Sequence, residues 1–357
     1  MVENLVAVIM AGGVGSRFWP VSTPQKPKQF LNLLGERTLL QESLARLEGL
    51  VPLERVLVLT NEEFLDLARQ QLPQLESHQF IGEPCRRDTA GAVALASLLV
   101  QKIWGEKAIM AILAADHHIT TASEFQLALR SAALGANRYQ AIYTLGIKPT
   151  YPATTYGYLE RGQPLPAPLT PGPAHFKLRR FCEKPPLPQA QEFLASGDYF
   201  WNSGMFITGV RTILDEYRRQ SPRHLEILQP LLSRYATHAW RESLAQAFPQ
   251  LPTIAVDRAI MEGAERICMV EANFQWADLG GWLGVAPFLD HDDQQNAFHG
   301  QMTAYQSSGN IIFNADPQEH ITLVGVQNMA VIHTPGQTLI LPLSQLDSAF
   351  FKCGIRN

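Results

Sequence analysis

The sequence predicts an α/β fold: a Rossmann-like mixed, mostly parallel sheet covered by helices, followed by a small C-terminal all-β domain. Three observations carry that expectation. Continuous apolar runs of strand length alternate with helically spaced apolar segments, and only a strand covered by helices on both faces is apolar throughout. The runs end on glycines or charged residues, and sheets of this class bind ligands beyond the carboxyl ends of their strands. Past Asp290 the texture changes to short β-rich runs separated by turn residues.

The elements follow in order. Leu5-Val6-Ala7-Val8-Ile9-Met10 is the first apolar run and stops at Gly12-Gly13. Thr38 to Leu50 sets Leu39, Leu40, Leu44 and Leu47 at helical spacing, and Arg55 to Thr60 reads as a second buried strand, which completes a βαβ unit. Thr89 to Trp104 reads as a helix with a core stripe of Ala92, Ala94, Leu95, Leu98 and Leu99. Ala108 to Ala114 is a third apolar run, ending on Ala115-Asp116-His117-His118, and the alternation continues to Ile142–Leu145. The Pro- and Gly-rich stretch from Gln163 to Pro173 is an exposed loop between extended segments. Asn310–Phe313, Ile321–Val326, Met329–His333 and Thr338–Leu341 are the strands of the tail. We expect a large domain over residues 1–288 and a β-rich one over 289–357.

Composition bounds the function. A chain of 357 residues with 46% hydrophobic and 17% charged content is that of a soluble globular protein with a sizeable core. The net charge of -4, without a basic run, argues against a nucleic acid or an anionic membrane as partner. Cysteines at 85, 182, 268 and 353 form no CxxC pair, which fits a reducing compartment and neither a disulfide framework nor a zinc site. The apolar run at the start is too short for a signal peptide or a membrane span, so a cytoplasmic protein is expected.

The chemistry concentrates first between Met10 and Leu31. Met10-Ala11-Gly12-Gly13-Val14-Gly15-Ser16-Arg17 puts glycines just after a strand, where backbone amides can approach phosphate oxygens with no Cβ in the way. It is not a dinucleotide fingerprint, because Phe18 stands where the third glycine belongs, and no Gly-Lys-Ser/Thr follows to make a Walker A loop. Arg17 and then Pro24-Gln25-Lys26-Pro27-Lys28-Gln29-Phe30-Leu31 add cations able to neutralise a triphosphate.

This GGxGxR…PKxF pattern resembles the signature of the sugar-phosphate nucleotidyltransferases, and Pro27-Lys28-Gln29-Phe30 is similar to the form in their mannose-1-phosphate guanylyltransferase branch. Further motifs match in order over roughly residues 5 to 341. They are Glu83-Pro84-Cys85-Arg86-Arg87-Asp88-Thr89-Ala90, Ala115-Asp116-His117, Tyr156-Gly157-Tyr158, Phe181-Cys182-Glu183-Lys184-Pro185, Trp201-Asn202-Ser203-Gly204-Met205-Phe206 and Trp276-Ala277-Asp278-Leu279-Gly280-Gly281-Trp282. Two positions depart: Gly91 stands where family members usually have Pro, and Val256-Asp257-Arg258-Ala259 where Ile-Asp-Tyr-Gly/Ala is usual.

The resemblance implies transfer of GMP from GTP to mannose 1-phosphate, with Mg²⁺ and no covalent enzyme intermediate. It assigns Ala11, Gly12, Gly13, Gly15, Glu83 and Asp88 to the nucleotide, and Gly157, Glu183, Lys184, Asn202 and Asp257 to the sugar phosphate. Arg17 and Lys28 become the catalytic cations and Asp116 and Asp278 the metal ligands. The roles suit the chemistry: anions must meet, so positive charge and positioning are needed in place of a protein nucleophile. Guanine's N1–H and amino group are donors that a carboxylate at Glu83 can accept together. Oxygen ligands with phosphate suit Mg²⁺, and His117 and His118 have no further His or Cys at ligand spacing for a transition metal. Trp276 and Trp282 fit a scaffold role as well as stacking on a sugar. Two alternatives stay open: the same chemistry on another substrate, such as a heptose or other hexose 1-phosphate or another nucleotide, and a catalytically silent regulator of the same fold that senses nucleotide sugars. In that family the tail is a β-helix-like dimerisation element, so a homodimer is expected.

Overall fold

The computed structural model describes residues 3–13 and 16–346. They fall into two compact units, one of Met1–Gly12, Ser43–Ala115 and Ile119–Trp276, the other of Gly13–Glu42, Asp116–His118 and Ala277–Asn357. The strands are β1 Leu5–Ala11, β2 Val56–Asn61, β3 Phe80–Glu83, β4 Ile109–Ala114, β5 His118–Ile119, β6 Ile142–Ile147, β7 Gly157–Leu165, β8 His175–Glu183, β9 Tyr199–Gly209, β10 Ile267–Ala272, β11 Trp276–Ala277, β12 Asp290–His291, β13 Ala297–His299, β14 Met302–Tyr305, β15 Ile311–Asn314, β16 Ile321–Val324, β17 Met329–Thr334 and β18 Gln337–Pro342.

The first unit is built on a nine-stranded sheet in the order β3-β2-β1-β4-β9-β6-β10-β8-β7. The apolar runs behave as their composition demands. Leu5 to Ile9 and all of β2 are buried, and β1 pairs in parallel with β2 (Ala7 opposite Val56) and with β4 (Ala7 opposite Ala111). The helix Asp88–Trp104 lies against this sheet and buries every residue from Ala90 to Val100. Its Leu95, Leu98 and Leu99 each stabilise the fold by about 1.5–3 kcal/mol through the apolar area they bury.

The sheet is mixed, as expected, but its parallel part is confined to β3-β2-β1-β4 and to β6 with β10. β9 enters between β4 and β6 antiparallel to both, and β7, β8 and β9 form an antiparallel group. The expected helix over Thr38–Leu50 is shorter, Leu39–Ala45. After it the chain tightens into turns, with Leu47 N–H bonded to Leu44 O at 3.0 Å, and reverses through Gly49 at φ +77°. Among the described residues no helix is long and apolar enough to cross a membrane.

The second unit contains the β-rich tail. β13, β15 and β17 stack in parallel, β14 and β16 form a second parallel ladder, and β18 returns antiparallel to β17. Ile312, Leu323 and Val331 fill a core with Phe298 and Met302. Two buried asparagines stitch successive coils: Asn310 donates through Nδ2 to Asn296 Oδ1 at 2.8 Å, and Asn310 Oδ1 accepts from Met329 N–H at 2.9 Å. A different cluster joins Phe18, Leu31, Leu33 and Leu39 to Trp282, Ile311, Phe313 and Ile332. Hence the compact units do not follow the linear boundary expected at residue 288. The N-terminal loop is an integral part of the tail's core, and no local pattern announces so distant a packing partner.

Candidate active site

The second unit assembles cations and carboxylates. Lys28 begins a single 3-10 turn after Pro27, and its buried ammonium lies 3.1 Å from Asp116 Oδ2 while also donating to the backbone oxygen of Asp278. A lysine is costly to bury without a partner, and this one has two acceptors. Burial works against the Asp116 carboxylate, but the Lys28 ammonium and then His117 outweigh it and hold its pKa below the ordinary value. His117 Nε2 stands 4.0 Å from Asp116 Oδ1. Arg17 is exposed and donates to Gly280 O at 3.1 Å, in the turn that follows Asp278. Gln29 donates to Gly13 O at 3.1 Å, and a Cβ on Gly13 would meet Asp116 Oδ2 at 4.0 Å. Gly13, Arg17, Lys28, Asp116 and Asp278 thus lie in one cluster, whereas Gly15 lies outside the described residues. Trp282 is core: it packs edge-on against Phe18 at 5.2 Å and has no exposed face to stack.

The first unit assembles hydrogen-bonding groups. The Ala11 carbonyl accepts from Thr60 Oγ1 at 2.8 Å at the end of β1, and the Glu83 carboxylate ends β3 beside Gly12, whose Cβ would lie 3.7 Å from Oε1. Glu83 is only 6% exposed, and that burial pushes its pKa up to about 7. Asp88 is exposed at a positive φ of 56°, and its carboxylate accepts from the Thr89 N–H at 2.8 Å, so its visible work is at the start of its own helix.

Gly157 and Glu183 face each other across β7 and β8, and a Cβ on residue 157 would stand 2.7 Å from Glu183 Oε2 and 3.4 Å from Asn202 Cβ. Only glycine leaves that carboxylate where it is. Lys184 turns out of the strand at φ +46°, with its N–H on Tyr156 O at 3.2 Å and its ammonium 2.8 Å from Glu183 Oε1. Asn202, on β9, takes Thr144 Oγ1–H at 3.0 Å and Gly204 N–H at 3.2 Å on Oδ1, and donates through Nδ2 to Asp257 Oδ1 at 3.1 Å. Asp257 opens a π-helical turn, Asp257–Met261; burial first and the Glu183 charge second raise its pKa to about 6. The unusual Val256-Asp257-Arg258-Ala259 sequence therefore still delivers its carboxylate to Asn202. Carboxylate, amide and ammonium together can bind sugar hydroxyls and a phosphate at one place.

A family model described as nucleotidyl transferase matches residues 6–287. The chain belongs to the nucleotidyl transferase family. Among its relatives, a Sinorhizobium fredii mannose-1-phosphate guanylyltransferase is 35% identical over 335 residues, 93% of this chain and 64% of the relative. The Klebsiella pneumoniae mannose-1-phosphate guanylyltransferase is 36% identical over 341 residues, 94% of this chain and 70% of the relative. The chain thus spans about two thirds of the length of the curated relatives it matches. A solved Thermus thermophilus structure described as a mannose-1-phosphate geranyltransferase is 30% identical, with a TM-score of 0.85 and 96% of each chain covered. Nucleotidyl transferases of this family generally work with a divalent metal.

In this nucleotidyl transferase the sequence left Thr144 and Tyr151 unmarked, and gave no sign that the motif aromatics Tyr156, Trp201 and Trp276 meet. Thr144 sits inside a run that reads as pure core, and only its hydroxyl distinguishes it. Tyr151 and Trp201 meet at 4.8 Å between ring centres, and Tyr156 meets both Trp201 and Trp276 at 5.2 Å, an aromatic wall in the first unit beside the motif residues Gly157 and Asn202.

Proposed function

We propose that the chain forms GDP-mannose and pyrophosphate from GTP and mannose 1-phosphate. The observation that carries the reading is the buried Lys28 ammonium held between the Asp116 carboxylate and the Asp278 backbone oxygen, a placement suited to a metal-bound triphosphate. The guanylyltransferase relatives support the choice of substrates. An oxygen of the sugar phosphate attacks the α-phosphorus of GTP, the bond to the bridging oxygen of the β-phosphate breaks, and pyrophosphate leaves with that electron pair. Arg17 and Lys28 offset the charge that gathers on the phosphates. The amides of Gly12 and Gly13 offer donors to phosphate oxygens from the loop after β1, and Gly15 joins the nucleotide set by its place in the motif alone. The ionised Glu83 carboxylate accepts guanine's donors, and Asp88, beside it in sequence, belongs to the nucleotide set. Glu183, Asn202 and Asp257 take sugar hydroxyls, Gly157 leaves room for them, and Lys184 takes the sugar's phosphate.

The donors fit Mg²⁺. Among the described residues no group of three or more His, Cys, Asp or Glu could cage an ion, and Mg²⁺ characteristically uses one or two carboxylates, several waters and substrate phosphates. Asp116 and Asp278 would hold it; when bound, it neutralises phosphate charge and orients the triphosphate.

Release of pyrophosphate from GTP plus mannose 1-phosphate and Mg²⁺ tests the reading. No release from any pairing of GTP, ATP or UTP with hexose or heptose 1-phosphates would favour the silent regulator. Turnover only with another sugar would keep the chemistry and change the substrate. The reading extends to a cytoplasmic homodimer that handles no nucleic acid, with catalytic residues before 289 and dimer contacts in the tail. Tyr305 and Val324, neighbours across β14 and β16, are 61% and 64% exposed, an apolar pair suited to burial in a partner. Light scattering that shows only monomer would remove this extension.

A further inference from the structure

β8 is paired on both sides only at its beginning. His175, Phe176 and Lys177 face Val270, Met269 and Cys268 of β10, whereas pairing with β7 continues to Glu183. Beyond Lys177 β8 runs past the start of β10 at Ile267, and a cavity of about 410 Å³ opens there between β8 and the segment that leads into β10, a volume suited to a small organic ligand. Its lining is chemically divided. Tyr139 and Phe181 supply aromatic surface, Lys177 and Arg266 supply cations, Glu262 supplies an acceptor, and the Glu265 carboxylate on the same wall is engaged by Arg219 at 3.7 Å.

The cations are not all equal. Arg179 and Arg180 are committed to Glu160, at 3.1 and 3.4 Å. Lys177 and Arg266 have no carboxylate partner among the described residues, although an exposed cation placed by the fold beside an aromatic cavity is an anion receptor. None of these groups takes part in the proposed reaction.

The walls of the cavity lead directly to sugar-binding residues. From Phe181 β8 continues to its end at Glu183, with Lys184 next in the chain, and the opposite wall, from Glu262 to Ile267, follows the π-helical turn that begins at Asp257. A ligand that spreads or clamps this gap acts on both the Glu183 and the Asp257 carboxylates.

We propose that the gap between β8 and the segment that leads into β10 is a regulatory site for a small organophosphate, with the phosphate on Lys177 and Arg266, the ring body on Tyr139 and Phe181, and a hydroxyl or amino donor on Glu262. Its occupancy alters affinity for the sugar phosphate. That kinetic consequence rests on the proposed function, but the binding itself does not.

Calorimetric titration with two probes, GMP and mannose 6-phosphate, separates a nucleotide ligand from a sugar phosphate. The full chain is compared with the Lys177→Glu/Arg266→Glu variant and with Lys184→Ala, which weakens the sugar-phosphate pocket. The expected result is a probe that binds wild type and Lys184→Ala alike and loses at least about tenfold in affinity in the double variant, about 1.4 kcal/mol. In wild type it shifts KM for mannose 1-phosphate with little change in kcat; in the double variant KM no longer responds, while kcat and KM without probe are retained. Binding of neither probe, or equal binding to the double variant, overturns the site. Groove binding with an unmoved KM overturns its regulatory role. If the chain released no pyrophosphate at all, the titrations would still decide the site.

Discussion

Gly157 is held against Glu183 so closely that a single added methyl would stand 2.7 Å from the carboxylate oxygen. The pair ties a backbone position on β7 to the direction of a side chain on β8, so under the proposed function a glycine there keeps the Glu183 carboxylate placed for the sugar.

Gly157→Ala should displace the Glu183 carboxylate and leave the sheet intact, because the atom in the way is the far end of a side chain. KM for mannose 1-phosphate should rise about tenfold, a loss of about 1.4 kcal/mol, with the KM for GTP unchanged. Steady-state kinetics against each substrate checks this; an equal rise in both would point to general distortion.

Thr144→Val removes the hydroxyl that fixes the Asn202 amide and leaves Oδ1 with only the Gly204 N–H. A lost buried hydrogen bond costs about 1 kcal/mol, so a small fall in thermal stability should accompany a higher KM for the sugar phosphate. Thr144→Ser should restore both. A drop in stability without a change in KM would confine Thr144 to the scaffold.

Lys28→Ala should lower kcat by about 10²–10³, the scale for removing one group that stabilises transition-state charge. The same change removes the main attraction that keeps the Asp116 pKa low. The acid limb of the rate profile should therefore move to higher pH. If kcat falls and that limb stays in place, the coupling of Lys28 to Asp116 has no part in the reaction.

Glu83 carries opposite demands. If Glu83 accepts guanine's donors as proposed, it must be ionised to do so, and affinity for GTP should weaken as pH falls through about 7. Stability has the other sign: the folded pKa lies above the ordinary value of 4.5, so the folded state binds more protons, and stability declines as pH rises from about 4.5 to about 7 and is flat above. Glu83→Gln should therefore be more stable at pH 8, by on the order of 1–3 kcal/mol, while losing GTP binding. Denaturant titration beside a GTP binding curve gives both numbers; a variant that is less stable at pH 8 would contradict the assignment.

The sequence displayed those parts of the fold that local patterning controls. β1, β2, β4 and β6 were visible because strands covered on both faces are continuously apolar, and Asp116 was visible because a charge ends such a run. The antiparallel entry of β9 was not, since Asn202, Ser203 and Gly204 interrupt its apolar pattern and its partners lie far away in the chain. Lys28, Asn202 and Asp257 were found as motif residues, but Thr144, which orients Asn202, looked like core. The shared core of Phe18 with Trp282 was equally hidden, for nothing near either residue encodes a contact across more than 260 positions.

The asparagines of the tail have a mechanical consequence. Asn296 supports Asn310, and Asn310 supports the backbone at Met329, so each coil rests on the polar rung beneath it. A stack of coils alone would depend on its nearest neighbours, but here Ile311, Phe313 and Ile332 are also clasped by Phe18, Leu31 and Trp282. Force or denaturant should therefore find the ladder resisting like a spine held by a brace, with rungs released only once that clasp has loosened.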